Sequence, residues 1–421
     1  MRTSKSVIVC GGGIVGLCTA YYLAREGCEV TVVERHAENA HDHCALGSAG
    51  YVSPSHVIPL AAPGMVWKGL KWMTNSRSPF YIQPRLDSDL MRWGWHFWRA
   101  SSQRRVERAA PILRDLCLMA RQLYEELDDL TGDRSDFRKD GLLNLCQTEA
   151  GFEHEVHGLA KLANELGVEA QVLDAQQTAA LGLGVKVNII GSVFFPIDAH
   201  LTPARFCPAL TALLKEMGVR FRFSTTIYGW RTEGRRLAAV QTTAGDLIAD
   251  EFVLTGGSWS PGMISALGAR LPMQAGKGYS LTVQRPRLRA TKPMILVERR
   301  VALTPMGETM RFGGTMEIAG HNDRMRPERL EQIKAGAMAF LPELTPDDFA
   351  EARPWFGYRP VTPDGLPYIG RFGRWTNLTA ACGHAMLGVT LAPTTGRLVA
   401  EVIGGKKPSV NLTLLDPNRY A

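Results

Sequence analysis

Residues 7–34 constrain the fold more than any other stretch. Val7-Ile8-Val9-Cys10 is an apolar run long enough for a buried strand, and Gly11-Gly12-Gly13-Ile14-Val15-Gly16 spells G-x-G-x-x-G. Ala20, Tyr21, Leu23 and Ala24 then recur at helical spacing, Gly27 stops the helix, and Val30-Thr31-Val32-Val33 ends in Glu34. Strand, glycine turn, helix, strand and acid in that order form a dinucleotide-binding fingerprint. Gly11 permits the tight turn, Gly13 lets the backbone approach a diphosphate, and Gly16 lets the helix lie close on the strands. The diphosphate meets free N–H groups at the helix N-terminus. Glu34 stands where a carboxylate accepts ribose hydroxyls and repels a 2′-phosphate. These residues predict a bound adenine dinucleotide without separating NAD from FAD.

A chain of 421 residues is long enough for about two domains. No apolar stretch reaches the length of a membrane span, and the early first strand leaves no room for a signal peptide, so a cytoplasmic protein is expected. The eight cysteines show no C-x-x-C pairs. Cys10 and Cys18 read as small core residues, and Cys44 as structural. The formal charge of +7 suits anionic partners such as a diphosphate or a carboxylate substrate.

Further along, small residues cluster in Ala45-Leu46-Gly47-Ser48-Ala49-Gly50-Tyr51-Val52, as where backbone passes a flat ligand. Thr255-Gly256-Gly257-Ser258 repeats that pattern at a strand's end. Five of the nine tryptophans fall within 63–111 (Trp67, Trp72, Trp93, Trp95 and Trp98), interleaved with lysines and arginines. That segment is read mainly as a helix buried between domains, with arginines reaching outward. The other reading is peripheral contact with the inner face of a membrane.

Helices are expected over 110–130, 152–166, 203–217 (capped by Thr202) and 327–340, and strands over 191–196, 219–223, 227–232, 236–243, 250–254, 271–283, 294–303 and 310–315. A second glycine-led helix start after Gly383-His384 implies that the chain's end folds back onto its beginning. The expected fold is α/β (α+β overall): a discontinuous Rossmann-like domain over 1–56, 197–265 and 355–421. A substrate domain over 57–196 and 266–354, built on a mostly antiparallel sheet, is inserted in it.

With these motifs together, the chain resembles the D-amino-acid oxidase and glycine oxidase superfamily, most of all its bacterial D-amino-acid dehydrogenase branch. The carriers are residues 11–16 with Glu34, Gly50-Tyr51-Val52-Ser53-Pro54, Ala61-Ala62-Pro63-Gly64, Lys277-Gly278-Tyr279-Ser280, Gly313-Gly314-Thr315, Arg359-Pro360, Asp364-Gly365-Leu366-Pro367 and Gly383-His384 through Gly388. The resemblance implies FAD, held non-covalently because the cysteine that attaches flavin in sarcosine-oxidase-like relatives is not evident. It implies that His384, Leu387, Gly388, Val389 and Thr390 face the isoalloxazine. Ile14, Val15, Arg35, Ile227, Gly256 and Gly257 complete the expected cofactor lining with Ala45, Ser48, Ala49, Gly50, Tyr51 and Val52.

Arg359 matches the arginine that binds substrate carboxylate in glycine-oxidase-like relatives, and a guanidinium meets a carboxylate with two parallel hydrogen bonds. Tyr279 is read as a second donor or as a core tyrosine, His384 as a neighbour of the ring or a structural histidine, and His200 as structural. Met386 replaces a second arginine of those relatives, which implies a more apolar pocket. The implied reaction is oxidative deamination of a D-amino or cyclic imino acid of the D-proline or hydroxy-D-proline type, with electrons passing to a quinone or another carrier. The rivals are a peroxide-forming glycine or sarcosine oxidase and a tRNA-modifying flavoprotein. No metal site and no DNA partner are expected.

Overall fold

The computed structural model describes residues 4–40, 43–65, 67, 78, 80–132 and 134–421. Strand Ser6–Cys10 runs parallel to Glu29–Val33 on one side and to Glu251–Leu254 on the other. Val7, Ile8, Val9 and Cys10 are all buried because both faces of the sheet are covered, which is why the strand reads as a continuous apolar run. The sheet extends through Leu378–Cys382 to the edge strand Tyr368–Arg371, and through Glu29–Val33 to Arg220–Arg222. Only the Tyr368–Arg371 edge is antiparallel.

The two ends of the chain therefore share one sheet, as the late glycine-led segment implied. The helix Ile14–Arg25 also packs on the C-terminal helix Gly388–Ile403. They approach so closely that a Cβ on Gly396 would stand 2.5 Å from the Cys18 carbonyl oxygen.

The second sheet runs Arg353–Val361, Gln274–Gln284, Thr309–Ile318, Val301–Met306, Met294–Leu296, Leu142–Cys146, Gly191–Phe195, Gln171–Asp174. It is antiparallel except where Met294–Leu296 meets Leu142–Cys146 and where Phe80–Ile82 joins Thr309–Ile318. One face carries Tyr279, Leu281, Leu303 and Phe312 and packs on Ile333, Ala337 and Phe340 of helix Pro327–Phe340. The opposite face is bare along Gly278, Gly313 and Ala302, and these line a cavity between the two sheets.

Several expectations need correction. The strand expected over 294–303 is two strands, Met294–Leu296 and Val301–Met306, paired antiparallel around a turn with Arg300 at φ 51°. Thr202 precedes helix Pro203–Glu216, but its hydroxyl donates to Asp136 Oδ2 at 2.7 Å rather than capping the helix. The helix over 152–166 contains a π-helical stretch, Glu155–Ala160.

Segment 63–111 is two-faced rather than simply buried. In helix Ser88–Ala100, Trp93 is buried and its Nε1 donates to Val361 O at 2.9 Å. Met91, Trp95 and Trp98 face solvent, each more than half exposed. Lys68, Lys71, Trp72 and Arg77 lie outside the described residues.

Candidate active site

The glycine turn is built as its spacing requires. Gly11 takes φ 129°, and a Cβ there would meet the Thr255 carbonyl oxygen at 2.8 Å. Gly13 has open space around its Cβ position. The helix that follows has no side-chain cap and no acid in its first turn, so its N–H groups are left for an anion. Gly16 does not face the cavity: a Cβ there would stand 1.9 Å from Gly11 O, so its role is packing inside the turn. Glu34 is buried and accepts from Gly12 N at 2.7 Å and His36 N at 2.9 Å, which fixes its carboxylate beside the turn.

From here a cavity of about 1380 Å³ runs between the sheets. That exceeds the roughly 300–1,000 Å³ of an ordinary small-ligand pocket and suits an extended ligand with a second molecule beside it. Ile14, Val15, Arg35, Ile227, Gly256 and Gly257 line one end, and Ala45, Ser48, Ala49, Gly50 and Tyr51 the middle. Leu387, Gly388, Val389 and Thr390 line it from the start of the C-terminal helix, whose first turn also lacks a side-chain cap and an acid. Val52 does not belong to this lining; it is fully buried in the core.

The middle loop is fastened to the substrate sheet. Ser280 Oγ donates to Gly47 O at 2.9 Å, Thr304 Oγ1 to Ala49 O at 2.8 Å, and Arg311 Nη1 to Leu46 O at 2.6 Å and Ser48 O at 2.9 Å. Burial lowers the Arg311 guanidinium to about 10, so it stays charged at neutral pH. Nothing local marks Arg311 in the sequence, since a buried arginine serving carbonyls has no signature of its own.

Arg359 lines the cavity on strand Arg353–Val361. Its Nη1 donates to Thr315 O at 2.8 Å, and it lies over Gly278, where a Cβ would come within 2.3 Å of Cζ. Among the described residues no carboxylate pairs with it, and burial lowers it only to about 10. It is therefore a charged group facing a cavity without a counter-ion. Met316, Phe80, Leu60, Met65 and Met386 line the cavity too, giving it apolar walls.

Tyr279 lines the cavity beside Gly278, but its ring also packs with the cluster on helix Pro327–Phe340 and its hydroxyl donates to Glu317 Oε1 at 3.2 Å. His384 lines the cavity but is buried, with Nε2 paired to Thr395 Oγ1 at 2.9 Å. Burial lowers it to about 3, so the imidazole is neutral near pH 7. His200 is buried on the short strand Ala199–His200, away from the cavity.

Asp198 is a buried acid that the sequence reading passed over. Ser55 donates to it from N at 3.0 Å and from Oγ at 2.5 Å, yet burial raises its carboxyl to about 7. In the unfolded chain it ionises near pH 4. Its contribution to stability is thus full below about pH 4 and is lost as pH rises through 7. Asp198→Asn, which keeps the neutral shape, should flatten that decline and exceed the parent in thermal stability above pH 7. Melting curves from pH 5 to 8 check this; parallel profiles for the two proteins would remove Asp198 as the cause.

The glycine turn, two uncapped helix starts and a long cavity fit FAD, and the comparisons agree. The profile of the FAD dependent oxidoreductase family, DAO, matches residues 6–402, and the chain belongs to that family. It is an FAD-dependent oxidoreductase. Over 422 residues it is 36% identical to the D-amino acid dehydrogenase of Granulibacter bethesdensis, with 99% of each chain covered. It is 34% identical over 420 residues to the D-amino acid dehydrogenase of Bradyrhizobium diazoefficiens, again with 99% of each covered. Among solved structures, glycine oxidase from Geobacillus kaustophilus shares the fold with a TM-score of 0.77 at 20% identity, covering 99% of this chain and 100% of that one. L-proline dehydrogenase from P. horikoshii has a TM-score of 0.73 at 19% identity, with coverage of 100% and 98%.

Proposed function

We propose that this chain oxidises a D-amino acid or cyclic imino acid and passes the electrons to a quinone or another carrier. The observation that carries the reading is the charged Arg359 guanidinium, lining the cavity with no carboxylate partner among the described residues. Bound FAD supplies the hydride acceptor for the substrate α-carbon. Arg359 holds the substrate carboxylate and so fixes the α C–H in one orientation. Met316, Phe80, Leu60 and Met65 exclude water and, with the exposed Met386 at the rim, accept an apolar side chain, which favours a substrate larger than glycine. The uncapped N–H groups at the start of Gly388–Ile403 stabilise negative charge developing beside them. The imine leaves the site and hydrolyses to a 2-oxo acid and ammonia, or remains cyclic where the substrate is a proline.

The domain division belongs to the same reading, with one shift: strand Arg353–Val361 pairs with Gln274–Gln284, so 1–56, 197–265 and 362–421 hold FAD, non-covalently, and 57–196 with 266–361 shape the substrate end. Acid precipitation should release the flavin into the supernatant; flavin that stays with the pellet would contradict non-covalent binding. Production of hydrogen peroxide at the full turnover rate would favour the oxidase reading instead.

The exposed stripe Met91, Trp95 and Trp98 falls at helical spacing, with Arg92, Arg99, Arg104 and Arg105 exposed around it. Among the described residues no helix is long and apolar enough to cross a membrane. The stripe suits peripheral contact with an anionic bilayer at the cytoplasmic face, where a lipid-soluble carrier is at hand. The holoenzyme should co-sediment with anionic vesicles, and Trp95→Ala with Trp98→Ala should lower that binding about tenfold. Equal binding by the double variant would sink the membrane reading.

A further inference from the structure

The arginine that faces the cavity is held by an irregularity in the sheet. Strand Gln274–Gln284 pairs Lys277 with Glu317 and Tyr279 with Gly314. Gly278 is therefore opposite two residues, Thr315 and Met316, which is a β-bulge. Bulges re-aim side chains and recur beside active sites. Thr315 there adopts φ 54°, in the left-handed region, although it is β-branched. Gly313 and Gly314 stand just before it, yet neither takes a positive φ; the conformation that suits glycine falls on threonine. Strain of this kind persists where the side chain is needed.

The bulge turns the Thr315 carbonyl to Arg359 Nη1 at 2.8 Å, across bare Gly278. Thr315 also lines the cavity and is 8% exposed, and its hydroxyl has no hydrogen-bond partner among the described residues. A buried hydroxyl with no partner is costly and waits for one. The group that Arg359 is built to grip has lone pairs to spare.

We propose that Thr315 is a second substrate-binding residue, whose hydroxyl donates to the carboxylate held by Arg359. This rests on the reading of Arg359 given above. Rotation about the Cα–Cβ bond brings the hydroxyl to a ligand seated against the guanidinium. The two groups together define a carboxylate rather than any anion: a planar fork on one side, a single O–H on the other.

The test uses the FAD-loaded enzyme and benzoate, a carboxylate with no amine and no α-hydrogen, titrated by its perturbation of flavin absorbance. Thr315→Val should raise the benzoate Kd roughly 10- to 150-fold, the range of a hydrogen bond to a charged group. Thr315→Ser should stay within about twofold of the parent, and Thr315→Gly should lose affinity while its Tm stays at or above the parent's, since glycine accepts the left-handed backbone. A structural role alone would lower Tm and affinity together. Unchanged benzoate binding in Thr315→Val and Thr315→Gly overturns the proposal, even where amino-acid KM rises, because the hydroxyl would then serve another group. Arg359→Ala is run in parallel. Loss of benzoate there, with Thr315 variants unaffected, leaves the Arg359 reading standing and removes only Thr315; retention of benzoate there removes both.

Discussion

Arg359→Ala should lower kcat/KM for the best amino acid by roughly 10- to 150-fold, the 1.5–3 kcal/mol of a hydrogen bond to a charged group. The side chain is half-buried over Gly278 and has no carboxylate partner among the described residues, so no ion pair stabilises it in the free enzyme. Removing it deletes a half-buried charge that has no counter-ion among the described residues, and thermal stability should be unchanged or slightly higher. The loss should fall mostly on KM if the contact is equally strong before and during hydride transfer. Arg359→Lys should recover little, because a lysine lacks the planar fork and reaches from a different point. Steady-state kinetics with flavin content held equal checks the result. Parent-like kinetics in the alanine variant would take Arg359 out of the site.

The second large effect is expected at Gly16. A Cβ there would meet Gly11 O at 1.9 Å and Thr255 Oγ1 at 3.1 Å. Neither neighbour is the free end of a flexible chain; one is the backbone of the turn itself. Gly16→Ala must therefore push the turn and the first helix apart, at a cost of about 1–3 kcal/mol in stability. It also spoils the diphosphate seat, so the stabilisation that bound FAD gives is lost as well, about 2.7 kcal/mol at a free concentration 100 times its Kd. The variant should purify colourless, melt well below the parent, and gain nothing in Tm from added FAD. A yellow protein with parental Tm would show that Gly16 has room for a methyl group.

Much of this was legible locally. Residues 7–34 encode strand, turn, helix and strand within one short unit, and each glycine's need is met within that unit. The close packing that the motif expects of Gly16 is seen as a Cβ clash with Gly11 O, inside the turn. Arg359 was readable because its neighbours match a known pattern.

Which way the Tyr279 hydroxyl turns was not readable, because Gln274–Gln284 is buried on both faces and its sequence carries no alternation to separate them. The bulge at Gly278 and the positive φ of Thr315 come from pairing with a strand more than thirty residues away, so no local signal announces them. Arg311 likewise acts on the loop at 46–48, far off in sequence. The break in 294–303 was hidden because Val297 and Val301 make the turn look like a continued strand.

The most direct test is anaerobic bleaching of the FAD-loaded enzyme by a panel of D-, L-, N-methyl and cyclic amino acids, each paired with its carboxamide. It needs no assumption about the electron acceptor. The flavin should bleach with at least one D-amino or cyclic imino acid and far more slowly with the matching amide, which has no charge for Arg359 to hold. Bleaching by none of them, or by acid and amide at equal rates, would contradict an amino-acid oxidation site organised around that guanidinium.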